Sequence, residues 1–269
     1  MYANLQCQAF LGDRKASVRG MVISALRYTF ADTDEGYDEY LKPIVIPMLS
    51  QMLDEPDLEN RRLALTTFNS AMHNKPDMIL PALDQLLPKA MKETHIKQEL
   101  IREVQMGPFK HKVDDGLEIR KGAYETLYAL LENAFSRLSL TDLSECYERI
   151  VAGITDEHDI RTLCNLMLTK LMVLAPDETR LRLEAIAESF RMVLAVKPKE
   201  NAVKQEIEKI EDGKKGVVKV SVLLNKKFST EGNSDDSRLR YWGSYWDYIN
   251  KEFNGLVKMA TEEVKERDG

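Results

Sequence analysis

Side chains that could do chemistry are few and far apart in this chain. The four histidines, His73, His95, His111 and His158, are scattered, and none has a cysteine at metal-ligand spacing. The three cysteines, Cys7, Cys146 and Cys164, form no CxxC pair. Their odd number suits reduced, packed thiols of a cytosolic or nuclear protein better than a disulfide framework. GxSxG, HExxH, GxGxxG and the GxxxxGK phosphate loop are all missing. Gly213-Lys-Lys-Gly216 imitates a phosphate loop, but no strand precedes it and no Ser or Thr follows it. The pair Asp114-Asp115 reads as short acceptors for free backbone N–H groups ahead of a helix. These observations point away from catalysis and imply no metal and no cofactor.

Binding is the remaining chemistry, and Glu99 to Asp115 is the stretch that could provide it. From Leu100 to Met106 apolar and polar residues nearly alternate, Gly107-Pro108 lies at the centre, and the return arm carries Phe109, His111 and Val113. That pattern predicts two short strands around a tight turn. A two-stranded ribbon is marginal alone in water, so it must lean on its own scaffold or on another protein.

The elements that position this stretch are helical repeats. Four segments share an acidic or polar residue, an Arg a few positions on, and then an apolar helix: Asp13 to Arg19, Asp57 to Arg61, Asp114 to Arg120 and Asp156 to Arg161. The arginines are 42, 59 and 41 residues apart. If the hairpin adds roughly 17 to 19 residues to the middle interval, every spacing becomes about 40, the period of HEAT repeats. Second helices show apolar stripes, Ile119, Ala123, Leu127, Leu130, Leu131 and Ala134 in one, and Ile160, Leu163, Cys164, Met167, Leu168, Leu171 and Leu174 in another. First helices are expected at Tyr40–Leu53, Met78–Met91, Asp142–Gly153 and Asp177–Val193, with prolines at first-turn or kink positions. The recurrent Asp57, Arg61, Asp114, Arg120, Asp159 and Arg161 are either a structural ladder between repeats or ligand contacts.

The expected fold is therefore all-α, a right-handed superhelical HEAT-repeat solenoid with one inserted β-hairpin. Its parts are N-terminal repeats over 1–97, incomplete at the start, the hairpin over 98–116, and C-terminal repeats over 117–224. A polar, flexible loop over 225–237 and an aromatic-rich helix over 238–269 follow. Before that loop, a charged helix at Asn201–Glu211 is expected to stop at Asp212-Gly213, ahead of a short apolar helix from Lys214 to Leu224. In the last helix Trp242, Trp246, Ile249 and Phe253 share one face, which either caps the array or binds a partner. A first helix at Ser17–Phe30 would expose a core edge, so the chain is expected to be the end of something longer or to receive a separate chain there.

With 269 residues, 43% of them hydrophobic, the chain can bury a sizeable core. A net charge of −6 argues against non-specific nucleic-acid binding, which needs a basic field to replace phosphate counterions. A helical-repeat DNA glycosylase is disfavoured on the same ground. The N-terminus lacks the charged and apolar regions of a signal peptide, and the most apolar run, Ile44 to Leu49, is too short to span a bilayer.

Three stretches carry a family resemblance: Glu55-Pro-Asp-Leu-Glu-Asn-Arg through Lys75-Pro76, Glu99-Leu-Ile-Arg through Ile119-Arg-Lys121, and more weakly Asn201 to Lys209. From about Val18 to Leu224 the chain resembles the C-terminal end of the cullin-associated, neddylation-dissociated proteins, the TATA-binding-protein-interacting family. Beyond Leu224 the Trp-rich tail departs from the family pattern. The resemblance implies a non-catalytic regulator of cullin-RING ubiquitin ligases, in the cytoplasm and nucleus. It implies that the repeats grip the N-terminal domain of an unneddylated cullin, carried with its ring-box protein. The hairpin then blocks the site of the substrate-receptor adaptor and promotes receptor exchange. Carried over, the contacts are Arg102, Val104, Met106, Gly107, Pro108, Phe109, Lys110 and Lys112, the knob being Met106 to Phe109 and the cations its rim. The family's N-terminal arm has no counterpart here, so a separate chain could supply it. The competing reading is a generic HEAT scaffold, a transport receptor, phosphatase scaffold or TATA-binding-protein partner, that binds through its concave face.

Overall fold

The computed structural model describes residues 9–31, 36, 38–107, 109–200, 202–228 and 237–268, and at positions 31, 106, 109, 111, 267 and 268 the backbone alone. It consists of two compact units, Met1–Cys146 and Tyr147–Gly269. No described helix is long and apolar enough to cross a membrane.

In the first unit, α1 (Ala16–Ala31), α3 (Leu58–Asn74) and α5 (Leu117–Asn133) lie side by side, with α3 between the others. α2 (Asp38–Leu53) and α4 (Leu83–Glu93) form the second layer and pack on α3 and α5 respectively. The expected stripe on α5 is fully internal, Ile119, Ala123, Leu127, Leu130, Leu131 and Ala134 all being buried. Polar groups stitch the layer as well. Asn60 Nδ2 donates to the carbonyl of Ala16 at 2.9 Å, and Thr126 Oγ1 lies within hydrogen-bond reach of Leu65 O at 3.2 Å. The helix expected at Met78–Met91 is shorter. Pro76–Met78 and Leu80–Ala82 are 3-10 turns, because Pro76 and Pro81 lack the N–H a helix interior needs.

α6 (Leu140–Gly153) spans the boundary between the units. In the second unit, α7 (His158–Leu174), α10 (Lys204–Phe228) and α12 (Asn254–Asp268) form one layer. α9 (Leu183–Ala195) and α11 (Ser237–Glu252) form the other, and α8 (Pro176–Leu181) leads into α9. The α7 stripe is buried at Ile160, Cys164, Met167, Leu168 and Leu171, but Leu163 is half-buried and Leu174, the last residue of the helix, is exposed. The expected helix at Asp177–Val193 is interrupted at Arg182, whose φ of −111° and ψ of 7° leave the helical region.

Two further boundaries differ from the sequence expectation. Asp212-Gly213 does not break the chain: α10 runs unbroken from Lys204 to Phe228. A helical Gly costs only about 1 kcal/mol relative to Ala, and here its missing Cβ leaves room for Arg161, whose Nη1 an added Cβ would meet at 2.7 Å. The tail is two helices rather than one. It bends at Phe253, where Phe253 N still donates to Ile249 O at 2.8 Å and Val257 N to Phe253 O at 3.0 Å. Asn254 and Gly255 are poor helix formers, which makes this the weak point. The loop expected at 225–237 lies mostly outside the described residues; residues 225–228 belong to α10 and Ser237 opens α11.

The aromatic face of α11 turns inward. Trp242, Tyr245 and Ile249 are buried, and Trp246 and Phe253 are half-buried. Buried polar tips find partners, as they must. The Tyr245 hydroxyl lies 2.8 Å from Ser221 Oγ, and Trp242 Nε1 donates to Asn225 Oδ1 at 3.3 Å. Arg191 of α9 stacks over the rings of Tyr245 and Tyr248 and donates to Ser244 O at 3.3 Å. The tail is thus a further helix pair closing the second unit, and its tryptophans are packing residues.

Candidate functional site

The hairpin forms where the alternation predicts it. β1 (Ile101–Met106) pairs antiparallel with β2 (Phe109–Asp114), with Met106 opposite Phe109 and Ile101 opposite Asp114. Gly107 has φ of 62°, the left-handed backbone that a two-residue hairpin turn requires at its first position and that glycine adopts without a Cβ clash. Gln105 Nε2 donates to Gly107 O at 3.2 Å and braces the turn.

Register and two-residue alternation sort the ribbon into two faces. Arg102, Val104 and Met106 fall on one face with Val113, His111 and Phe109 opposite them; Ile101, Glu103 and Gln105 fall on the other with Asp114, Lys112 and Lys110. One face is therefore mostly apolar and the other mostly charged. Glu103, Gln105, Lys110 and Lys112 are exposed, while Val104 and Val113 are half-buried. By register, positions 102, 104 and 106 share a face with positions 109, 111 and 113, and Lys110 and Lys112 belong to the opposite face; Pro108 lies outside the described residues.

The ribbon's cations are mostly engaged. Arg102 grips Asp115 with two bonds, Nε to Oδ2 at 2.6 Å and Nη2 to Oδ1 at 3.2 Å. That bond lowers the Asp115 pKa and raises that of Arg102. Lys110 Nζ lies 3.5 Å from Glu103 Oε2. Lys112 is exposed and has no ion partner among the described residues. Of the three rim cations read from the sequence, Lys112 is thus the one left for a partner. The role of Asp115 was not legible because it lies thirteen residues from Arg102, and only the register brings them together.

The recurrent arginines occupy the fourth position of α1, α3, α5 and α7, but their partners differ. Arg19 forks onto Glu55, Nε to Oε2 at 2.7 Å and Nη2 to Oε1 at 2.5 Å. Arg61 reaches Glu93 at 3.1 Å rather than Asp57, and Asp57 instead caps α3 by accepting from Asn60 N at 3.0 Å. Arg120, 3% exposed, donates to Asp114 Oδ2 at 2.7 Å. Arg161 donates to two carbonyls, Ile154 O at 2.8 Å and Asp156 O at 2.7 Å, and burial lowers its pKa. Asp159 lies in the first turn of α7. Glu55 and Glu93 escaped the sequence reading; their only signal is an acid at the end of each first helix. Among the described residues no three His, Cys, Asp or Glu side chains are placed to hold a metal ion.

Two layers of paired helices per unit, broken once by a β-ribbon, define a HEAT-type helical-repeat protein. Yeast importin-β superposes over 96% of this chain and 29% of its own, with a TM-score of 0.66 at 11% identity. A designed armadillo repeat protein does so over 91% of this chain and 99% of its own, with a TM-score of 0.54 at 9% identity. Such identities speak for the fold alone. The family model described as "TATA-binding protein interacting (TIP20)" matches residues 78–250, and the chain belongs to that family. The match runs past Leu224 and takes in most of α11, so the aromatic helix belongs to the family pattern after all. "Cullin-associated NEDD8-dissociated protein 1, C-terminal part" of Emericella nidulans is 50% identical over 248 residues, 92% of this chain and 23% of that protein. "Cullin-associated NEDD8-dissociated protein 1" of Drosophila melanogaster is 40% identical over 220 residues, 82% of this chain and 17% of that protein. The chain thus spans less than a quarter of these relatives' lengths.

Proposed function

We propose that the chain is a non-catalytic regulator of cullin-RING ubiquitin ligases, acting in the cytoplasm and nucleus. In this reading the repeats hold the N-terminal domain of an unneddylated cullin bound to its ring-box protein. The ribbon occupies the surface used by the substrate-receptor adaptor, so that cullin loading and adaptor binding weaken each other and one receptor is exchanged for another.

The observation that carries this reading is the ribbon itself. Its register gathers apolar positions on one face and charged ones on the other, and Glu103, Gln105, Lys110 and Lys112 are exposed. The names of the relatives supply the partner class. Apolar anchors supply affinity, and Lys112, which has no ion partner among the described residues, supplies local orientation. Likeness to importin-β at 11% identity lends the transport-receptor alternative no more than a shared fold.

The test is binding of the full chain to an unmodified cullin N-terminal domain, with and without adaptor, for wild type and Met106→Ala/Phe109→Ala. Wild type should bind, adaptor should compete, and the double variant should lose the competition while keeping its helical content. Absence of cullin binding at high concentration, or competition that survives the double substitution, refutes the reading.

A further inference from the structure

The ribbon is useful only if it points in one direction. Six residues of strand extend about 20 Å, so a 10° swing at the root carries the turn about 3–4 Å sideways. A docking constellation tolerates much less than that. Something at the root must therefore hold the direction.

Two adjacent aspartates sit at that root and do different things. Asp115 bonds Arg102, which closes β1 onto the end of β2; both members belong to the ribbon or its immediate end, and Arg102 is 60% exposed. Asp114 faces the helix instead. Its Oδ1 accepts from Gly116 N at 2.9 Å, and its Oδ2 accepts from Arg120 Nη1 at 2.7 Å. Arg120 is at the fourth position of α5 and 3% exposed, while Asp114 is 22% exposed. The last residue of the ribbon is thus tied to a side chain that is itself fixed in the packed layer. The ion pair is shielded on the arginine side, where charge attraction is screened least.

We infer that Arg120 is a positioning residue: through Asp114 it sets the direction of the ribbon relative to α5, and thereby the presentation of the site proposed above. The inference concerns the ribbon's direction and rests on that proposal only for its consequence in binding. Its test measures the two separately. In a Cys7→Ser background, spin labels at Lys110→Cys and Glu125→Cys, both exposed positions, report the distance between ribbon and α5. Cys146 and Cys164 are buried and take no label.

Wild type should give a narrow distance distribution. Asp114→Asn should at least double its width, and Arg120→Lys, which keeps a cation but only a point donor, should fall between the two. Circular dichroism on the same samples checks that the helices remain. A second set of variants adds Glu103→Cys/Lys112→Cys, a directly opposed pair whose disulfide, closed before labelling, keeps the strands together. If the ion pair sets the direction, Asp114→Asn stays broad with the staple in place, and cullin affinity, measured for Asp114→Asn alone without labels or staple, falls about tenfold against wild type. An unchanged width in Asp114→Asn overturns the inference. So does a staple that restores the narrow distribution, because strand pairing would then suffice. A broad variant alongside a wild type that binds no cullin upholds the inference and refutes the proposed function.

Discussion

Gly213→Ala and Gly243→Ala should move the stability of the second unit in opposite directions. Each replaces a glycine inside a helix, which alone is worth about 0.8–1 kcal/mol in favour of alanine. At Gly243 in α11 nothing lies within 4 Å of an added Cβ, so that gain is kept. At Gly213 in α10 the added Cβ would sit 2.7 Å from Arg161 Nη1 and 3.6 Å from its Cδ and Cζ. An arginine tip can usually swing aside, but this one is pinned by bonds from Nε to Ile154 O at 2.8 Å and from Nη2 to Asp156 O at 2.7 Å. Losing one bond to a charged group costs about 1.5–3 kcal/mol and overpacking about 1–3 kcal/mol. Taking the lower end of each range against the propensity gain, Gly213→Ala destabilises by about 1.5 kcal/mol. Urea unfolding followed by tryptophan fluorescence reads this directly, because both tryptophans lie in α11 of the same unit. The midpoint should fall for Gly213→Ala and rise for Gly243→Ala at unchanged slope. A Gly213→Ala midpoint at or above wild type would show that Arg161 yields freely, and the close approach would not explain the glycine.

Tyr245→Phe should cost about 1–2 kcal/mol in the same assay. Ser221 Oγ donates to Val217 O at 2.8 Å, so it accepts from the Tyr245 hydroxyl and would be left with a buried unmet acceptor. Glu55→Gln tests the first unit through pH. The Arg19 bond lowers the Glu55 pKa from 4.5, burial opposing it. The stability Glu55 contributes is therefore present above its ordinary pKa and lost as pH falls through the lowered one. The difference between wild type and Glu55→Gln should be largest near neutral pH and shrink in acid, as followed by circular dichroism; a gap that widens in acid would contradict the assignment. Burial pushes the Cys146 thiol up to about 12 and raises that of Cys164. Neither should react with a thiol reagent at pH 8 in the native protein, and both should react in denaturant, as read by mass spectrometry.

Local signals were legible where short-range chemistry and long-range packing agree. The arginines betrayed the repeat because each is the fourth residue of a packed helix, a position the fold reuses. The hairpin was legible because Gly107 needs its left-handed backbone whatever surrounds it. Boundaries failed where a neighbour overrides a local preference: Asp212-Gly213 signals a turn, yet Arg161 makes that glycine a packing residue inside α10. Asn254-Gly255 carries a similar signal, has nothing within 4 Å of the glycine, and there the helix does bend. The same glycine signal thus ends in opposite structures, and the difference lies in what the helix face meets.

That contrast bears on the ribbon as well. Read as a string, Arg102, Lys110 and Lys112 are three equivalent cations around an apolar turn. Folded, Arg102 is neutralised by Asp115 and Lys110 is offset by Glu103, so the ribbon offers a partner little net charge beyond Lys112. Strong long-range steering is then not what this surface can provide. On the proposed function, its selectivity comes from the shape and direction of the apolar face. This makes the Asp114–Arg120 tie, 2.7 Å long at the ribbon's root, matter more for partner choice than any charge at its rim.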